Sequence, residues 1–273
     1  MFINGCYLQH PSRYRVEHQI EQLNYRGISC DKIFFTDVEL DMVAFYRAFV
    51  FFRCEHSIEL DKFVTAAKSL NKVVIYDIDD LMFDDKETSG IPYVKAMKPK
   101  ERNRYDAHVS KVKRMMDLCD FSIASTPTLR ESMGKPLGDV CLNRNVASAA
   151  MVSLSSSALA SIEKNIDTDT IKIAYLSGSK THNPDLELVE DALISVCAQH
   201  ENVEFVVFGE LDVSSKLESL GPRLRKVASM SWDRLPEAIA SIDINIAPLV
   251  SSKFNAAKSE NKWLEAALVG VPT

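Results

Sequence analysis

Short apolar runs, many of them rich in Val, Ile and Phe, alternate along the chain with longer segments whose apolar side chains recur every three or four positions. A run of the first kind suits a strand covered on both faces, and a segment of the second kind suits an amphipathic helix. Their alternation predicts an α/β chain of parallel sheets with helices on both faces. In the first half the expected strands are Met1–Tyr7, Lys32–Asp37, Ala48–Arg53, Lys72–Asp77, Phe121–Ser125 and Asp139–Asn143. Between the first two, Val16, Ile20 and Leu23 hold the i, i+4, i+7 spacing of one helical face, and Gly27 stands where a C-cap glycine would end it. The charged segment Tyr93–Leu118 predicts a long helix across the outside of this lobe.

The stretch Val146–Thr170 is rich in Ser and Ala and lacks a clear apolar period. It reads as the connection in a chain with a first lobe over residues 1–150, a linker over 151–170 and a second lobe over 171–273. After it the alternation resumes, with strands expected at Ile171–Ser177, Val203–Gly209, Leu224–Met230 and Ile244–Pro248. Helices are expected near Asp185–Gln199, Asp233–Ser241 and Asn255–Val269. Another apolar run begins at Val271, and a doubly wound lobe continues through that strand and a further helix. The second lobe is therefore expected to be incomplete at its C-terminal end.

Composition narrows the class. A chain of 273 residues has room for two lobes, and its hydrophobic fraction of 46% and charged fraction of 26% suit a water-soluble fold. Its net charge of −6 argues against a nucleic-acid partner, which calls for a basic face. The six cysteines are scattered singly, without the close pairs of a zinc or redox motif. Met1 opens directly into an apolar run with no charged leader, and no stretch approaches the roughly 20 apolar residues of a membrane span. A cytoplasmic location is expected.

Ligands of open parallel sheets bind at the carboxyl ends of the strands, so the loops there come first. Gly178, Ser179, Lys180, Thr181 and His182 lie between a strand and a helix for which Asn183 is the expected cap and Pro184 the first residue. Gly178 lets the backbone approach a ligand, the helix N-terminus favours an anion, and Lys180 adds a full charge. The second glycine of a P-loop is missing, and a polar, well-capped turn is the plain alternative. On the helix expected at Asn255–Val269, Lys258, Lys262 and Glu265 form a stripe beside a mostly apolar one of Ala257, Asn261, Leu264 and Leu268. Two lysines one turn apart repel each other, and a diphosphate would remove that penalty. Glu265 would then accept hydrogen bonds from a ribose. The alternative is a solvated helix face.

In the first half, Asp77, Asp79 and Asp80 crowd the end of an apolar strand, where carboxylates repel and raise one another's pKa. Asp79 or Asp80 is a candidate to hold an acceptor hydroxyl or take its proton, against an acidic surface loop continuing into Asp84 and Asp85. Arg13, Tyr14 and Arg15 offer bidentate contacts to a phosphate or acidic sugar, against a capping role or pairing with the acidic loop. The basic run Lys95, Lys98, Lys100, Arg102 and Arg104 is a candidate for peripheral contact with the inner membrane surface, against plain helix solvation.

Taken in order, Tyr175 through His182, Val206-Val207-Phe208-Gly209, Trp232 through Pro236, Asp243 through Leu249, and Phe254-Asn255 through Glu265-Ala266-Ala267, closing in Gly270-Val271-Pro272, resemble the "group 1" retaining glycosyltransferases. The likeness is greatest to a bacterial branch that makes surface polysaccharides. In the first lobe it rests on Arg13-Tyr14-Arg15, Asp77 through Leu81 and Ser125-Thr126-Pro127. The resemblance implies a GT-B fold, two Rossmann-type lobes facing a cleft. It also implies a donor that is a UDP-, GDP-, dTDP- or ADP-sugar, an acceptor that is a glycan or lipid-linked hydroxyl, and neither cofactor nor catalytic metal.

Carried over residue by residue, Lys180, Lys258 and Ser259 contact the diphosphate and Glu265 the nucleotide ribose. Gly178, Ser179, His182, Asn255 and Lys262 join this donor-binding set, Arg13, Tyr14 and Arg15 bind the acceptor, and Asp79 or Asp80 takes the place of a first-lobe histidine. The family often carries a second glutamate eight positions before Glu265, where this chain has Ala257. Two rivals follow from the same residues. One is a haloacid-dehalogenase-type phosphatase using Asp77 and Asp79; the other is a sugar-nucleotide-binding scaffold that has lost catalysis.

Overall fold

The apolar runs form strands in both halves of the chain. In the computed structural model, which describes residues 1–162, 169–177 and 182–273, six of them make one wholly parallel sheet. These are β1 (Phe2–Asn4), β2 (Lys32–Phe34), β3 (Ala48–Phe52), β4 (Val73–Ile78), β5 (Phe121–Ala124) and β6 (Val140–Leu142), in the order β2-β1-β3-β4-β5-β6. The strands β7 (Ile171–Ser177), β8 (Val203–Gly209), β9 (Leu224–Val227) and β10 (Ile244–Ile246) make a second parallel sheet, in the order β10-β7-β8-β9. Strand order reverses between β1 and β3 in the first sheet and between β7 and β10 in the second. Crevices at the carboxyl ends of such neighbours are where doubly wound sheets take ligands.

The chain divides into two units. Met1–Val146 and Ser252–Ser259 form the first, and Ala147–Ser251 and Glu260–Thr273 the second. In the first, β3 is buried on both faces: Phe49 and Phe51 pack edge-on against Phe63, while Val50 and Phe52 join Phe2 and Val16 on the other side. Phe63 belongs to the helix Ile58–Ser69, whose buried residues Leu60, Phe63, Val64 and Ala67 keep one helical face. The Ser57 hydroxyl caps it by accepting from the Leu60 N–H at 3.2 Å. No helix among the described residues is long and apolar enough to cross a membrane.

Several helices depart from expectation, each for a local reason. The segment after β1 winds three ways: α-helical at Gln9–Ser12, as a π-helix at Arg13–Glu17, and α-helical again at His18–Tyr25. The wider π turn buries four consecutive residues, Arg13 to Val16, where an α-helix would have turned at least one outward. Gly27, at φ 77°, closes the segment in the left-handed conformation expected of it. The Tyr93–Leu118 segment is split into Pro92–Lys95 and Pro99–Leu118, each opening on a proline. The Ser/Ala-rich connection contains a helix, Ala149–Ile162, with Met151, Ser155 and Ala158 buried at i, i+4, i+7. The period is present, but two of its three positions, Ser155 and Ala158, are small side chains.

The helix expected at Asp185–Gln199 divides into Asn183–Glu187 and Glu190–Gln199. More consequential is the break of the one expected at Asn255–Val269 into Lys253–Ala256 and Asn261–Leu268. Ala257 ends the first of these in helical geometry, its N–H on the Lys253 carbonyl at 3.0 Å, and sits fully buried in the core of the first unit; the helix breaks after it, at Ser259 and Glu260, so the stripe of Lys258, Lys262 and Glu265 does not form. Lys258 belongs to the first unit, and Lys262 and Glu265 to the second.

The end of β1 is fixed by a close approach. Gly5 donates its N–H to the Phe52 carbonyl at 2.8 Å, and a Cβ there would lie 2.6 Å from Cys54 Cα and 2.7 Å from the Arg53 carbonyl oxygen. Both neighbours are backbone and cannot swing aside. Gly5→Ala is expected to cost about 1–3 kcal/mol as an overpacked contact, read as a lower midpoint in urea unfolding.

Candidate functional site

The first unit concentrates charge at the carboxyl ends of β3 and β4. Asp77, still within β4, is fully buried. Arg15 meets it with two parallel bonds, Nε to Oδ1 and Nη2 to Oδ2, both 2.9 Å. The remaining amino group of Arg15 reaches the Asn143 carbonyl at 2.6 Å and Asn145 Oδ1 at 3.0 Å. Burial pushes the Asp77 carboxyl up to about 6, the Arg15 charge opposing it. Next to this pair lies a second. Arg53, immediately after β3, donates from Nε to Asp79 Oδ1 at 2.6 Å and brings Nη2 to 4.0 Å from Asp80 Oδ2.

Asp80 is less committed. Its Oδ1 accepts from the Leu81 N–H at 2.9 Å, and its side chain retains 23% exposure against 10% for Asp79. Burial pushes the Asp80 carboxyl upward, opposed by Arg53 and Lys258 and reinforced by Asp79. Tyr105, on the long helix Pro99–Leu118, faces the same charge and is pushed up to about 12 by burial and Asp80. The Thr126 hydroxyl donates to the Ala257 carbonyl at 2.8 Å and caps its own helix at the Leu129 N–H. That bond seats the segment bearing Lys258, whose ammonium lies 5.1 Å above the Phe254 ring. In the same segment Asn255 donates its N–H to the Ser252 hydroxyl, and the Ser259 hydroxyl is buried with no hydrogen-bond partner among the described residues.

In the second unit polar groups gather where β7 and β10 end. His182 precedes the helix Asn183–Glu187, with Nδ1 2.7 Å from Asp185 Oδ2, and Asp185 Oδ1 accepts the Val250 N–H from the loop after β10 at 2.7 Å. One carboxylate thus joins the start of the helix Asn183–Glu187 to the loop after β10. Lys262, on Asn261–Leu268, holds its ammonium 4.3 Å above the ring of Tyr175 in β7. Tyr175 is fully buried, which pushes its phenol well up. Glu265 lies one turn beyond Lys262 and is half-buried.

These placements correct some expectations. Tyr14 and Arg15 are fully buried and Arg13 is 6% exposed, its guanidinium 4.8 Å over the Tyr14 ring, so none of the three presents itself to an acceptor. The π turn draws them inward, and Arg15 takes the pairing with the acidic loop. Both oxygens of Asp77 face Arg15, which removes it as the nucleophile of a phosphatase. Asn183 is not the helix cap; its amide donates to Asp212 at 3.2 Å instead. Gly178, Ser179 and Lys180 lie outside the described residues. Arg53 and Asp185 join these groups without having stood out in the sequence. The signal for Arg53 was an arginine directly after an apolar run, within reach of an acidic loop on the next strand. Asp185 had no comparable signal, because a carboxylate in a first helical turn is commonplace.

Two parallel-sheet units, each reversing its strand order, define a GT-B-like fold of two Rossmann-type lobes. No protein-family model matches the chain, and no curated protein matches it. Among solved structures it is similar to Anabaena HepE in complex with UDP and glucose, with a TM-score of 0.55 and 13% identity over 99% of this chain and 78% of that one. HepE in complex with UDP-glucose gives a TM-score of 0.55 and 12% identity with the same coverage. WaaG, a glycosyltransferase involved in lipopolysaccharide biosynthesis, gives 0.55 and 11% over 99% of this chain and 79% of that one. Identities this low speak for the fold alone.

Removing one partner of a buried ion pair strands the other charge without water. Arg15→Met is expected to destabilise the protein by about 3–5 kcal/mol in urea unfolding, and Arg15→Met with Asp77→Leu to recover most of that loss.

Proposed function

We propose that this chain is a glycosyltransferase that moves a sugar from a nucleoside diphosphate sugar to a hydroxyl of a glycan or lipid-linked acceptor, with retention, in polysaccharide synthesis. The observation that carries it is the polar cluster of His182, Asp185 and Lys262 at the β7/β10 reversal, where a doubly wound sheet receives a nucleotide. The GT-B-like fold supports it, as does the likeness to HepE in complex with UDP-glucose. Gly178, Ser179, Lys180, His182, Lys262 and Glu265 are assigned to the donor.

Positive groups fixed near the diphosphate stabilise the charge that develops on it as the anomeric bond breaks. The acceptor oxygen bonds to the anomeric carbon, and its proton passes to Asp79 or Asp80. Peripheral membrane contact through Lys95, Lys98, Lys100 and Arg104, all exposed, belongs to the same reading.

Calorimetry with UDP, GDP, dTDP and ADP tests the donor assignment. One nucleotide is expected to bind, and Lys180→Ala and Lys262→Ala each to weaken it roughly 10- to 100-fold, the range of a charge-assisted hydrogen bond. Unchanged binding in both variants would remove the assignment. Donor binding without transfer to any hydroxyl acceptor would favour an inactive binding scaffold.

A further inference from the structure

We propose that Arg53 is a positioning residue that divides the work of the adjacent carboxylates, anchoring Asp79 and leaving Asp80 as the group that meets the acceptor hydroxyl. The inference rests on the glycosyltransferase reading above and names which carboxylate serves it. Arg53 stands at the strand-order reversal of the first sheet, one residue past β3, with φ at 49°. A residue with a side chain rarely adopts that left-handed conformation, and it persists only where its surroundings impose it. Here they do: the Arg53 N–H donates to the Asp77 carbonyl at 3.1 Å, and Gly5 abuts the Arg53 carbonyl so closely that no side chain would fit.

The turn sends a side chain that is 14% exposed towards the loop after β4. There Asp79 Oδ1 receives Nε at 2.6 Å, whereas Asp80 Oδ2 lies 4.0 Å from Nη2 and has no shorter bond among the described residues. The geometry is therefore unequal by construction. Asp79 spends its charge on Arg53, and Asp80, more than twice as exposed, has an oxygen available.

The charged and titratable groups facing Asp80 are Arg53, its neighbour Asp79, Lys258 from the seated segment, and Tyr105. Arg53 and Lys258 favour the ionised carboxylate, and Asp79 disfavours it. The signs follow. Removing the Arg53 charge raises the pH at which Asp80 ionises, and neutralising Asp79 lowers it. In the reaction only ionised Asp80 takes the hydroxyl proton, as the acceptor oxygen bonds to the anomeric carbon and the bond to diphosphate breaks. The acid limb of turnover therefore moves with Asp80.

The test is a carboxyl-carbon NMR titration of the substrate-free protein, labelled at aspartate, beside pH profiles of kcat and acceptor KM. The variants are Arg53→Met, Arg53→Lys, Asp79→Asn and Asp80→Asn. The Asp80 midpoint is expected to rise in Arg53→Met and fall in Asp79→Asn, each by about half a pH unit or more. Arg53→Lys, which keeps the charge but not the fork, should fall between wild type and Arg53→Met. The acid limb of kcat should shift in the same two directions, and Asp80→Asn should abolish it. A merely structural Arg53 would lower activity without moving either midpoint, and that result overturns the proposal. So does an acid limb that survives in Asp80→Asn. Should Arg53→Met fail to fold, the opposed shifts of Arg53→Lys and Asp79→Asn decide. The expected shifts without transfer by the wild type would remove the glycosyltransferase reading while leaving the Arg53 assignment standing.

Discussion

The first unit is organised around a desolvated ion pair. Arg15 and Asp77 face each other fully out of water, and neither charge is tolerable there alone. Meeting the whole guanidinium takes three separate stretches of chain: the π turn that carries Arg15, the end of β4, and the residues after β6 that supply the Asn143 carbonyl and Asn145. Once Asp77 is neutralised from below, the loop above it can hold two more carboxylates without all three repelling one another. Arg53 answers the next of them, so cations and carboxylates are interleaved from the sheet interior outward. Asp80, last in that series, is the one left with an oxygen to spare.

Much of this architecture was legible in the residues. Runs such as Ala48–Phe52 and Val203–Gly209 are too apolar for any setting but a strand with both faces covered, and both are central to their sheets. The positions of Asp79 and Asp80 at a strand end followed from the same pattern. What was not legible was continuity within helices. Periodicity carried on past Ala257, and nothing in its spacing revealed that the helix breaks at Ser259 and Glu260, with Ala257 filling the core of the first unit and Asn261 onward belonging to the second. The π turn was hidden for a related reason, since Val16, Ile20 and Leu23 satisfy an α-helical count whether or not the preceding turn is wider. Pairing between distant segments, such as Arg15 with Asp77, depends on topology that local spacing does not encode.

The fold restricts the function without choosing it. Parallel sheets with an order reversal present loops, helix N-termini and backbone amides at one end, and many chemistries use that arrangement. The particular chemistry comes from side chains placed there. In the second unit Asp185 ties the start of the helix Asn183–Glu187 to the loop after β10 while holding His182 in place. In the first unit the support is electrostatic, built from alternating arginine and aspartate. The two sheets thus solve the same placement problem by different means.

One feature of the chain path bears on how the protein can be taken apart. Because Ser252–Ser259 belongs with Met1–Val146, the first unit is discontinuous, and the backbone changes membership three times rather than once. A gene fragment stopping at Val146 would encode a sheet whose Thr126 hydroxyl lacks its acceptor and whose core lacks Ala257 and the ring of Phe254. Excising the remainder as one stretch would carry that plug away, apolar side exposed, on a body that has no place for it. Chimeras that exchange the first unit between proteins of this architecture would need to graft the eight residues Ser252–Ser259 along with Met1–Val146.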